Sequence, residues 1–292
     1  MPILQSHKNQ ISYFEHSKIV KSDDKVAYTK DYNSKEFFFA IPYGNVAVIL
    51  LGPGTSITQS AMHHLASEGV MVAFTGGGGF PIFCGSLSEY RPTEYCQEWI
   101  KKWQDYSWRI NTAKRFQLKR AELVQKSWKT LLKEYELESY IEKVNSIFED
   151  GLYKAATKEE ILGYEANYAK SLYKILSNKF ESDFKRKPGE KNDLINELID
   201  SHNYYAYAIA GTVLWVLGIP HAFPVLHGDT RRGALVFDLA DIVKDAFLLP
   251  LAFLSVKNNI TKENHKKECI KTLNLEKTMS ILFNEIKLAL DK

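Results

Sequence analysis

Glu165 lies within an apolar pattern in which a carboxylate is unexpected. A helix through this segment, at 3.6 residues per turn, places it on one face with four apolar residues: Ile161, Tyr168, Leu172 and Ile175. A carboxylate on such a face is costly unless it is paired, protonated or bound to a metal. Glu165 is therefore either a structural residue, ion-paired or reaching water at the edge of the face, or a metal ligand.

A histidine followed by an acidic helix forms the second feature. His227 ends an apolar segment and precedes a loop rich in glycine and arginine. The next segment predicts a helix from about Ala234 to Leu249. Its three aspartates, spaced i, i+3 and i+7, share one face: Asp238, Asp241 and Asp245. Such a stripe is either a solvated face or a cluster of acids beside the histidine.

Together, Glu165, His227 and the aspartates are candidate ligands for one cation. Carboxylate oxygens suit Mg²⁺ or Mn²⁺, and an imidazole shifts the preference toward Mn²⁺. Zn²⁺ is disfavoured here because the sequence has no HExxH motif and no CxxC pair. Such a metal would act as a Lewis acid on a phosphate and could activate a hydroxyl or a water. Arg231 and Arg232, in the loop, are candidates to hold phosphate oxygens by bidentate hydrogen bonds.

The elements that must position these residues change character along the chain. Short β-branched or aromatic runs predict strands at residues 11–20, 26–29, 36–42, 46–51, 70–75 and 80–83. The polar run at residues 21–25 predicts a hairpin turn between the first two. One short helix is predicted at residues 57–67, started by Thr55 or Ser56. From Pro92 onward helical patterns dominate. The sequence therefore predicts an α+β protein, with a small β-rich domain at residues 1–91 and a larger all-α domain at residues 92–292.

Two glycine-rich segments look like phosphate-binding loops but lack the spacing of one. Gly52-Pro53-Gly54 lies between a predicted strand and the short helix, without GK[ST] or the third glycine of a Rossmann fingerprint. Gly76–Gly79 has no helix behind it. Both segments are predicted to be turns, where glycine's conformational freedom is useful.

The net charge of +3 conceals a strong segregation of charge. Residues 97–133 carry 10 basic and 3 acidic side chains, whereas residues 134–150 carry 1 basic and 6 acidic ones. In a helix over residues 109–133 five basic residues fall on one face, interrupted by Glu122: Arg115, Lys119, Lys126, Lys129 and Lys133. This face is either solvated or a contact surface for the phosphates of a nucleic-acid backbone.

Cysteine usage and targeting features predict a cytoplasmic protein. The three cysteines (Cys84, Cys96 and Cys269) are scattered, which argues against a disulfide framework and fits a reducing compartment. The N-terminus has no secretory signal pattern. The most apolar segment, Tyr204–Ile219, is short for a bilayer span of about 20 residues and predicts a buried helix, so no membrane association is expected.

Four stretches of the sequence resemble one protein family. They are residues 50–59 together with Gly76–Gly79, residues 163–166 (GYEA), residues 193–196 (DLIN), and residues 227–241, which end in FDLAD. They resemble the CRISPR-associated integrase of the adaptation module, the Cas family numbered one, and most closely its subtype I-F. The resemblance covers essentially the whole chain and includes the layout of a β domain followed by a helical domain.

The resemblance implies roles for the candidate residues and names partners. Glu165, His227 and Asp241 match the family's catalytic metal ligands, and Asp238 matches an accessory acid one turn earlier, with Mg²⁺ or Mn²⁺ as the cofactor. Asp245 has no role that can be transferred. The family forms homodimers largely through the β domains. It acts with the second adaptation Cas protein, which in subtype I-F is fused to the helicase-nuclease Cas protein.

The implied reaction inserts a short captured double-stranded DNA, the prespacer, into CRISPR repeat DNA. The 3′-hydroxyl of the captured DNA attacks a phosphodiester at the edge of the repeat. Arg115, Lys119 and Lys126 are candidates for contacts along the DNA backbone. Two other functions stay open: a metal-dependent nuclease that cleaves branched or single-stranded nucleic acid, with water in place of the hydroxyl, and a non-catalytic nucleic-acid-binding scaffold.

Overall fold

The computed structural model describes residues 8–32, 35–75, 82–84, 93–190, 192–228 and 233–291. Strands precede the long helices in this part of the chain, which confirms the predicted α+β class. The predicted domain boundary at residues 91 and 92 lies outside the described residues. The strands are β1 Gln10–Phe14, β2 Lys18–Ser22, β3 Lys25–Tyr32, β4 Lys35–Ala40, β5 Val46–Leu51, β6 Ser56–Ile57, β7 Met71–Phe74 and β8 Ile82–Cys84. The helices are α1 Gln59–Ser67, α2 Glu94–Trp103, α3 Tyr106–Leu131, α4 Glu138–Lys154, α5 Lys158–Lys179, α6 Leu194–Val216, α7 Ala234–Val243, α8 Leu249–Lys257, α9 Lys262–Leu275 and α10 Thr278–Ala289.

Strand β5 lies inside the first sheet because both of its faces are apolar. The sheet has the order β1-β5-β7-β8, with β1 and β7 parallel to β5 and β8 antiparallel to β7. Successive side chains of a strand point to opposite faces of the sheet. Val48 and Leu50 pack with the long helices, whereas Ile49 and Leu51 pack with α1 and the second sheet. The first sheet therefore lies between the helical part and α1.

The second sheet is built on the predicted hairpin. Its order is β4-β3-β2-β6, and β2 pairs antiparallel with β3 so that Ser22 faces Lys25. The two residues between them form the turn, and Asp23 has a φ of +52°. Tight hairpin turns need such left-handed residues, and aspartate tolerates them better than most. The polar run of the sequence therefore marks the turn correctly.

The prediction of one strand at residues 11–20 was wrong, because the chain changes sheets there. It forms β1 in the first sheet and β2 in the second. Between them His16 has a φ of +48°, and its backbone N–H donates to the carbonyl of Pro53 at 3.0 Å. Gly54, with a φ of +69°, packs so closely that a Cβ there would lie 2.5 Å from His16 Nδ1. Two turns thus pack against each other at the crossing.

The first glycine segment is a turn that leads into β6, as predicted, and the second, Gly76–Gly79, lies outside the described residues. The start of the short helix was predicted too early. Ser56 and Ile57 pair with β2, so α1 begins at Gln59. Its N-cap is Thr58, whose side chain accepts a hydrogen bond from the Ala61 backbone N–H at 3.3 Å.

The apolar segment at residues 204–219 forms the buried second half of α6 and the turn after it, as predicted. Gly218, with a φ of +69°, follows the end of the helix. No helix among the described residues is long and apolar enough to span a bilayer.

The predicted helix at residues 234–249 is interrupted by a π-helical turn at Lys244–Leu248, between α7 and α8. Pro250 explains the interruption, because its ring lacks an N–H and would clash with the carbonyl of Ala246 in a regular α-helix. Helix α3 satisfies carbonyls at this point. Ser127 Oγ donates to the Ala246 carbonyl at 2.7 Å, and Trp128 Nε1 donates to the Asp245 carbonyl at 2.9 Å. The turn redirects Asp245 toward α3.

Candidate metal centre and nucleic-acid surface

Asp238 holds the imidazole of His227 in one orientation. Its buried carboxylate accepts hydrogen bonds from the backbone N–H groups of Val225, Leu226 and His227 at 2.7, 3.1 and 2.8 Å. It also lies 2.7 Å from His227 Nδ1. A carboxylate bonded to Nδ1 takes that nitrogen as the donor and leaves Nε2 as the ligand atom, an arrangement common behind metal-binding histidines. Asp238 therefore acts as a positioning residue for His227.

Asp241 offers an unsatisfied oxygen next to that nitrogen. Its Oδ2 is buried, has no hydrogen-bond partner among the described residues, and lies 3.8 Å from His227 Nε2. Its Oδ1 forms an ion pair with Lys244 one turn further along. Buried polar atoms rarely stay unpaired. A divalent cation that bound both Oδ2 and Nε2 would satisfy this oxygen, so these two residues fit a metal.

The charges around this pair favour an ionised carboxylate. Burial would raise the pKa of Asp241, but the positive charges of Lys244, His227 and Arg120 outweigh burial and hold that pKa below its ordinary value. Burial would likewise lower the pKa of His227, but its hydrogen bond to Asp238 and the charges of Asp241 and Asp238 raise it. The carboxylate is therefore in the form that binds a cation.

Glu165 is held by Arg120, a residue that the sequence interpretation did not single out. Arg120 is 1% exposed, and its Nη1 donates to Glu165 Oε1 at 2.9 Å and to Gln117 Oε1 at 3.0 Å. Its Nε donates to Asp245 Oδ2 at 2.8 Å. The guanidinium thus joins the carboxylates of Glu165 and Asp245. A signal was present in the sequence, since Arg120 lies on the apolar face of α3 with Phe116.

The structure therefore brings two of the three predicted ligands together and keeps the third in an ion pair. His227 and Asp241 face each other. Glu165 does not bring a carboxylate oxygen within 4.8 Å of both of them. In the described part of the chain, the three possible ligands whose atoms do lie within 4.8 Å of one another are at another place. All three aspartates of the acidic stripe are buried, so the solvated interpretation was wrong. The interpretation of Glu165 as ion-paired is confirmed by its contact with Arg120.

Asp193 and Asn196, in the DLIN stretch, have structural roles. Asp193 is the N-cap of α6 and accepts a hydrogen bond from the Asn196 backbone N–H at 3.0 Å. The Asn196 side chain accepts from the Lys187 backbone N–H at 2.8 Å and donates to the Lys185 carbonyl at 2.9 Å. These bonds fix the segment before α6.

The predicted basic residues on α3 lie in different surroundings. Arg115 Nε is 3.1 Å from Glu285 Oε2, and Lys119 Nζ is 2.8 Å from Glu122 Oε1. Both line a wide groove with a volume of about 600 Å³. Lys126 is exposed one turn or more beyond it. Arg231 and Arg232 lie outside the described residues.

The tryptophans of the basic segment point inward. Trp99, Trp103, Trp108 and Trp128 donate indole hydrogen bonds to the backbone carbonyls of residues 223, 224, 289 and 245, respectively. They hold α2 and α3 against the rest of the helical part. All four are at least half-buried, so base stacking on a fully exposed tryptophan is not expected of this segment.

Comparisons with known proteins identify relatives along nearly the whole chain. A family model described as "CRISPR associated protein Cas1" matches residues 13–284. The chain is 36% identical to the CRISPR-associated endonuclease Cas1 of Pseudomonas aeruginosa, over 98% of this chain and 94% of that protein. It is 35% identical to the corresponding endonuclease of Pectobacterium atrosepticum, over 97% and 93%. The solved structure of a casposase bound to integration product has the same fold, with a TM-score of 0.73 at 13% identity and coverage of 97% and 91%.

Proposed function

The chain belongs to the CRISPR-associated Cas1 family, and on that premise we propose that it integrates short captured DNA into CRISPR repeats by transesterification at a divalent metal. The family assignment made from the sequence is confirmed, and its I-F-like character fits the two relatives. The observation that carries the proposal is the unpaired, buried Oδ2 of Asp241 facing His227 Nε2. The related casposase, solved with integration product, supports joining as well as cleavage.

Glu165, His227 and Asp241 are the residues that would hold Mg²⁺ or Mn²⁺. When bound, the metal would supply Lewis-acid stabilisation of the charge that develops on the attacked phosphate. Asp238 keeps His227 Nε2 directed at the site. Lys244 stays protonated, because the charges of Asp241 and Asp245 raise its pKa despite burial, and it holds the Asp241 carboxylate in place.

The reaction exchanges one phosphodiester bond for another. The 3′-oxygen of the captured DNA forms a bond to the phosphorus at the repeat edge, and the bond from that phosphorus to the 3′-oxygen of the repeat strand breaks. The attacking hydroxyl loses a proton and the leaving oxygen gains one. The number of phosphodiester bonds is unchanged, so no nucleotide cofactor is required.

The DNA substrates are a double-stranded prespacer and the CRISPR repeat, bound in part by Arg115, Lys119, Lys126, Arg231 and Arg232. Support for the first three is their place on α3, next to a wide groove. The second adaptation Cas protein, fused in subtype I-F to the helicase-nuclease, is the protein partner. Within this assembly two dimers of the chain supply two active sites for the two DNA ends.

The test is strand transfer of a short duplex into a supercoiled plasmid that carries a repeat array, with Mn²⁺ and the partner protein. Joined products support an integrase, because hydrolysis alone gives only nicks. Nicks without joining favour the nuclease that the names of the relatives indicate. Tight DNA binding without any metal-dependent product would leave the non-catalytic scaffold.

Replacement of Asp238 by asparagine is expected to weaken Mn²⁺ binding by about 10–100-fold, because the amide presents an N–H where backbone N–H groups now donate. Calorimetric titration of the purified protein with Mn²⁺ measures this change. Asp150→Asn, on the exposed surface of α4, is the matched control and should leave the affinity unchanged. Equal affinities for the two variants would remove Asp238 from the positioning role.

Replacement of Lys126 by glutamine is expected to lower the slope of log K against log salt by about 1 for duplex DNA. The side chain is exposed on α3, beyond the groove that contains Arg115 and Lys119. Fluorescence anisotropy with a labelled duplex over a series of NaCl concentrations gives the slope. Lys143→Gln, an exposed charge on α4, should keep the wild-type slope. The same slope for both variants would place the DNA away from this face.

Replacement of Phe38 by glutamate is expected to dissociate the homodimer that the proposal requires. Phe37, Phe38 and Phe39 are 45%, 58% and 41% exposed on β4, an edge strand of the second sheet. Exposed aromatic side chains on an edge strand are typical of an interface. Analytical ultracentrifugation measures the mass. Tyr140→Glu, at 62% exposure on α4, is the control, and a dimeric Phe38 variant would contradict an interface at this strand.

A further inference from the structure

A second cluster of possible metal ligands lies where α6, α8 and α9 meet. His202 on α6 and His265 and Cys269 on α9 each bring one ligand atom within 4.8 Å of the others. All three side chains are fully enclosed by protein. None of them belongs to the site formed by Glu165, His227 and Asp241. The cluster therefore needs an explanation of its own.

Two of these residues are arranged as neighbouring ligands of a tetrahedral ion. His265 and Cys269 are four residues apart, so they lie on the same side of α9. His265 Nε2 and Cys269 Sγ are 3.4 Å apart. Ordinary zinc–nitrogen and zinc–sulfur bonds at a tetrahedral angle would separate these atoms by about 3.6 Å. The observed separation of 3.4 Å is thus already close to that of a zinc site.

A hydrogen bond at Nδ1 fixes the orientation of the His265 ring. Its Nδ1 lies 2.9 Å from the hydroxyl oxygen of Ser255 on α8. This contact directs Nε2 toward Cys269, as outer hydrogen bonds do for metal-binding histidines. The third residue, His202, supplies an independent observation: its Nδ1 is buried and has no hydrogen-bond partner among the described residues. The hydrogen bonds from Ser255 to Cys269 leave this nitrogen unsatisfied. A metal ion bound at the cluster would give the His202 ring a partner.

The protonation states suit a metal site. Burial lowers the pKa of His202 well below its ordinary value, and the charges of His265, Arg186 and Lys244 add to that effect. Burial also lowers the pKa of His265 to about 4, although a hydrogen bond with the Leu251 backbone acts to raise that pKa. Both rings are therefore neutral at pH 7, which is the form that binds metals. Burial raises the pKa of the Cys269 thiol, so metal binding must release its proton.

The positive charges that act on the two rings already have carboxylate partners. Arg186 is paired with Asp200, and Lys244 is paired with Asp241. Lys266, next to His265 in the chain, is paired with Glu15. The surroundings of the cluster are therefore not strongly positive, and a divalent ion with one thiolate would leave a single net positive charge.

We propose that His202, His265 and Cys269 bind one zinc ion, with water in the fourth position. A thiolate and two imidazoles select zinc over Mg²⁺ and Mn²⁺. On binding, a bond forms from sulfur to the metal and the thiol proton passes to solvent. The ion fastens α9 to α6. Because Asn274 of α9 bonds both the N–H and the carbonyl of Ile11 in β1, at 2.8 and 2.9 Å, the ion also stiffens the contact between the helical part and the first sheet.

The test uses Co²⁺ as a spectroscopic probe of the full-length protein after treatment with a chelator. One equivalent of Co²⁺ should produce the near-ultraviolet charge-transfer band of a cobalt–thiolate bond, and one equivalent of Zn²⁺ should remove it. The band should be lost in Cys269→Ser and retained in a Cys84→Ser, Cys96→Ser double variant. It should also persist in His227→Ala, which separates this site from the one proposed for catalysis.

The wild-type titration decides the proposal even if Cys269→Ser does not fold. No charge-transfer band in the wild-type protein would overturn it, and so would a band retained by a folded Cys269→Ser variant. A second readout is the zinc content of protein purified without chelator, where one equivalent is expected by mass spectrometry. Loss of strand transfer in the Glu165 or Asp241 variants, with the cobalt band unchanged, would separate the two sites.

Discussion

Asp241→Asn should join DNA at least about 10³-fold more slowly than the wild-type protein under Mn²⁺ conditions. The metal's stabilisation of phosphate charge is worth several kcal/mol in the transition state, and each 1.36 kcal/mol is about a factor of ten in rate. Asparagine keeps the shape of the side chain but removes the charge, and its amide group would place N–H donors in the space that faces His227 Nε2. The effect therefore falls on the chemical step.

Strand transfer into the repeat plasmid measures this rate, with circular dichroism and duplex binding in EDTA as checks. Binding without metal should be unchanged, because the variant alters no surface charge. Asp150→Asn serves again as the exposed control and should join DNA at the wild-type rate. Wild-type joining by a correctly folded Asp241→Asn variant would show that the metal is held elsewhere, and the site assignment would then be abandoned.

Much of this site followed from the sequence because its chemistry is local. His227 and Asp238 are only 11 residues apart in the chain, so their contact joins residues that are near in sequence. Asp241 follows Asp238 by nearly one turn of α7, so its place beside His227 comes from the same helix. The β-rich beginning was also predicted, since β-branched runs and turn residues are short-range signals.

The contacts that the sequence did not reveal are those between distant helices. Arg120 lies 45 residues from Glu165 and 125 from Asp245, and periodicity on one helix does not report what another helix presents. The count of basic residues at 97–133 includes Arg120 but does not separate it from the exposed charges. The π-helical turn was missed although Pro250 marks its place in the sequence. The hydrogen bonds donated to its carbonyls come from Ser127 and Trp128 of α3, which the local sequence does not show.

The prediction of one strand at residues 11–20 was wrong for a different reason. Apolar and polar residues alternate through this run much as they do in one strand, and the break is set by His16 with its left-handed backbone. Histidine is not a turn residue that a pattern would mark. The break is fixed by packing against Gly54, which is 38 residues away and belongs to the turn before β6.

Arg120→Met should lower the free energy of unfolding by about 3–5 kcal/mol. Removing one partner of a buried ion pair leaves the other charge without compensation in a poorly solvated place. The Asp245 carboxylate is 5% exposed and that of Glu165 is 16% exposed, so neither recovers full hydration when the guanidinium is removed. Urea unfolding followed by circular dichroism measures the change.

The control is Arg115→Met on the same helix. The Arg115 side chain is 41% exposed and pairs with Glu285, so its loss should cost no more than about 1 kcal/mol. If Arg120→Met also costs no more than about 1 kcal/mol, water must reach the carboxylates of Asp245 and Glu165. Adding Asp245→Leu to Arg120→Met should restore part of the lost stability, since an apolar replacement removes the unpaired charge.

The double-mutant cycle of Arg120 and Asp245 then separates stability from function. If the double variant is stable but joins DNA slowly, Arg120 also orients Glu165 for the metal, because its Nη1 is bonded to Glu165 Oε1 at 2.9 Å. If the double variant regains both stability and joining, Arg120 serves only the fold. A stable Arg120→Met single variant would contradict the buried ion pair itself, because the cost depends on two carboxylates that are largely shielded from water, with side chains 5% and 16% exposed.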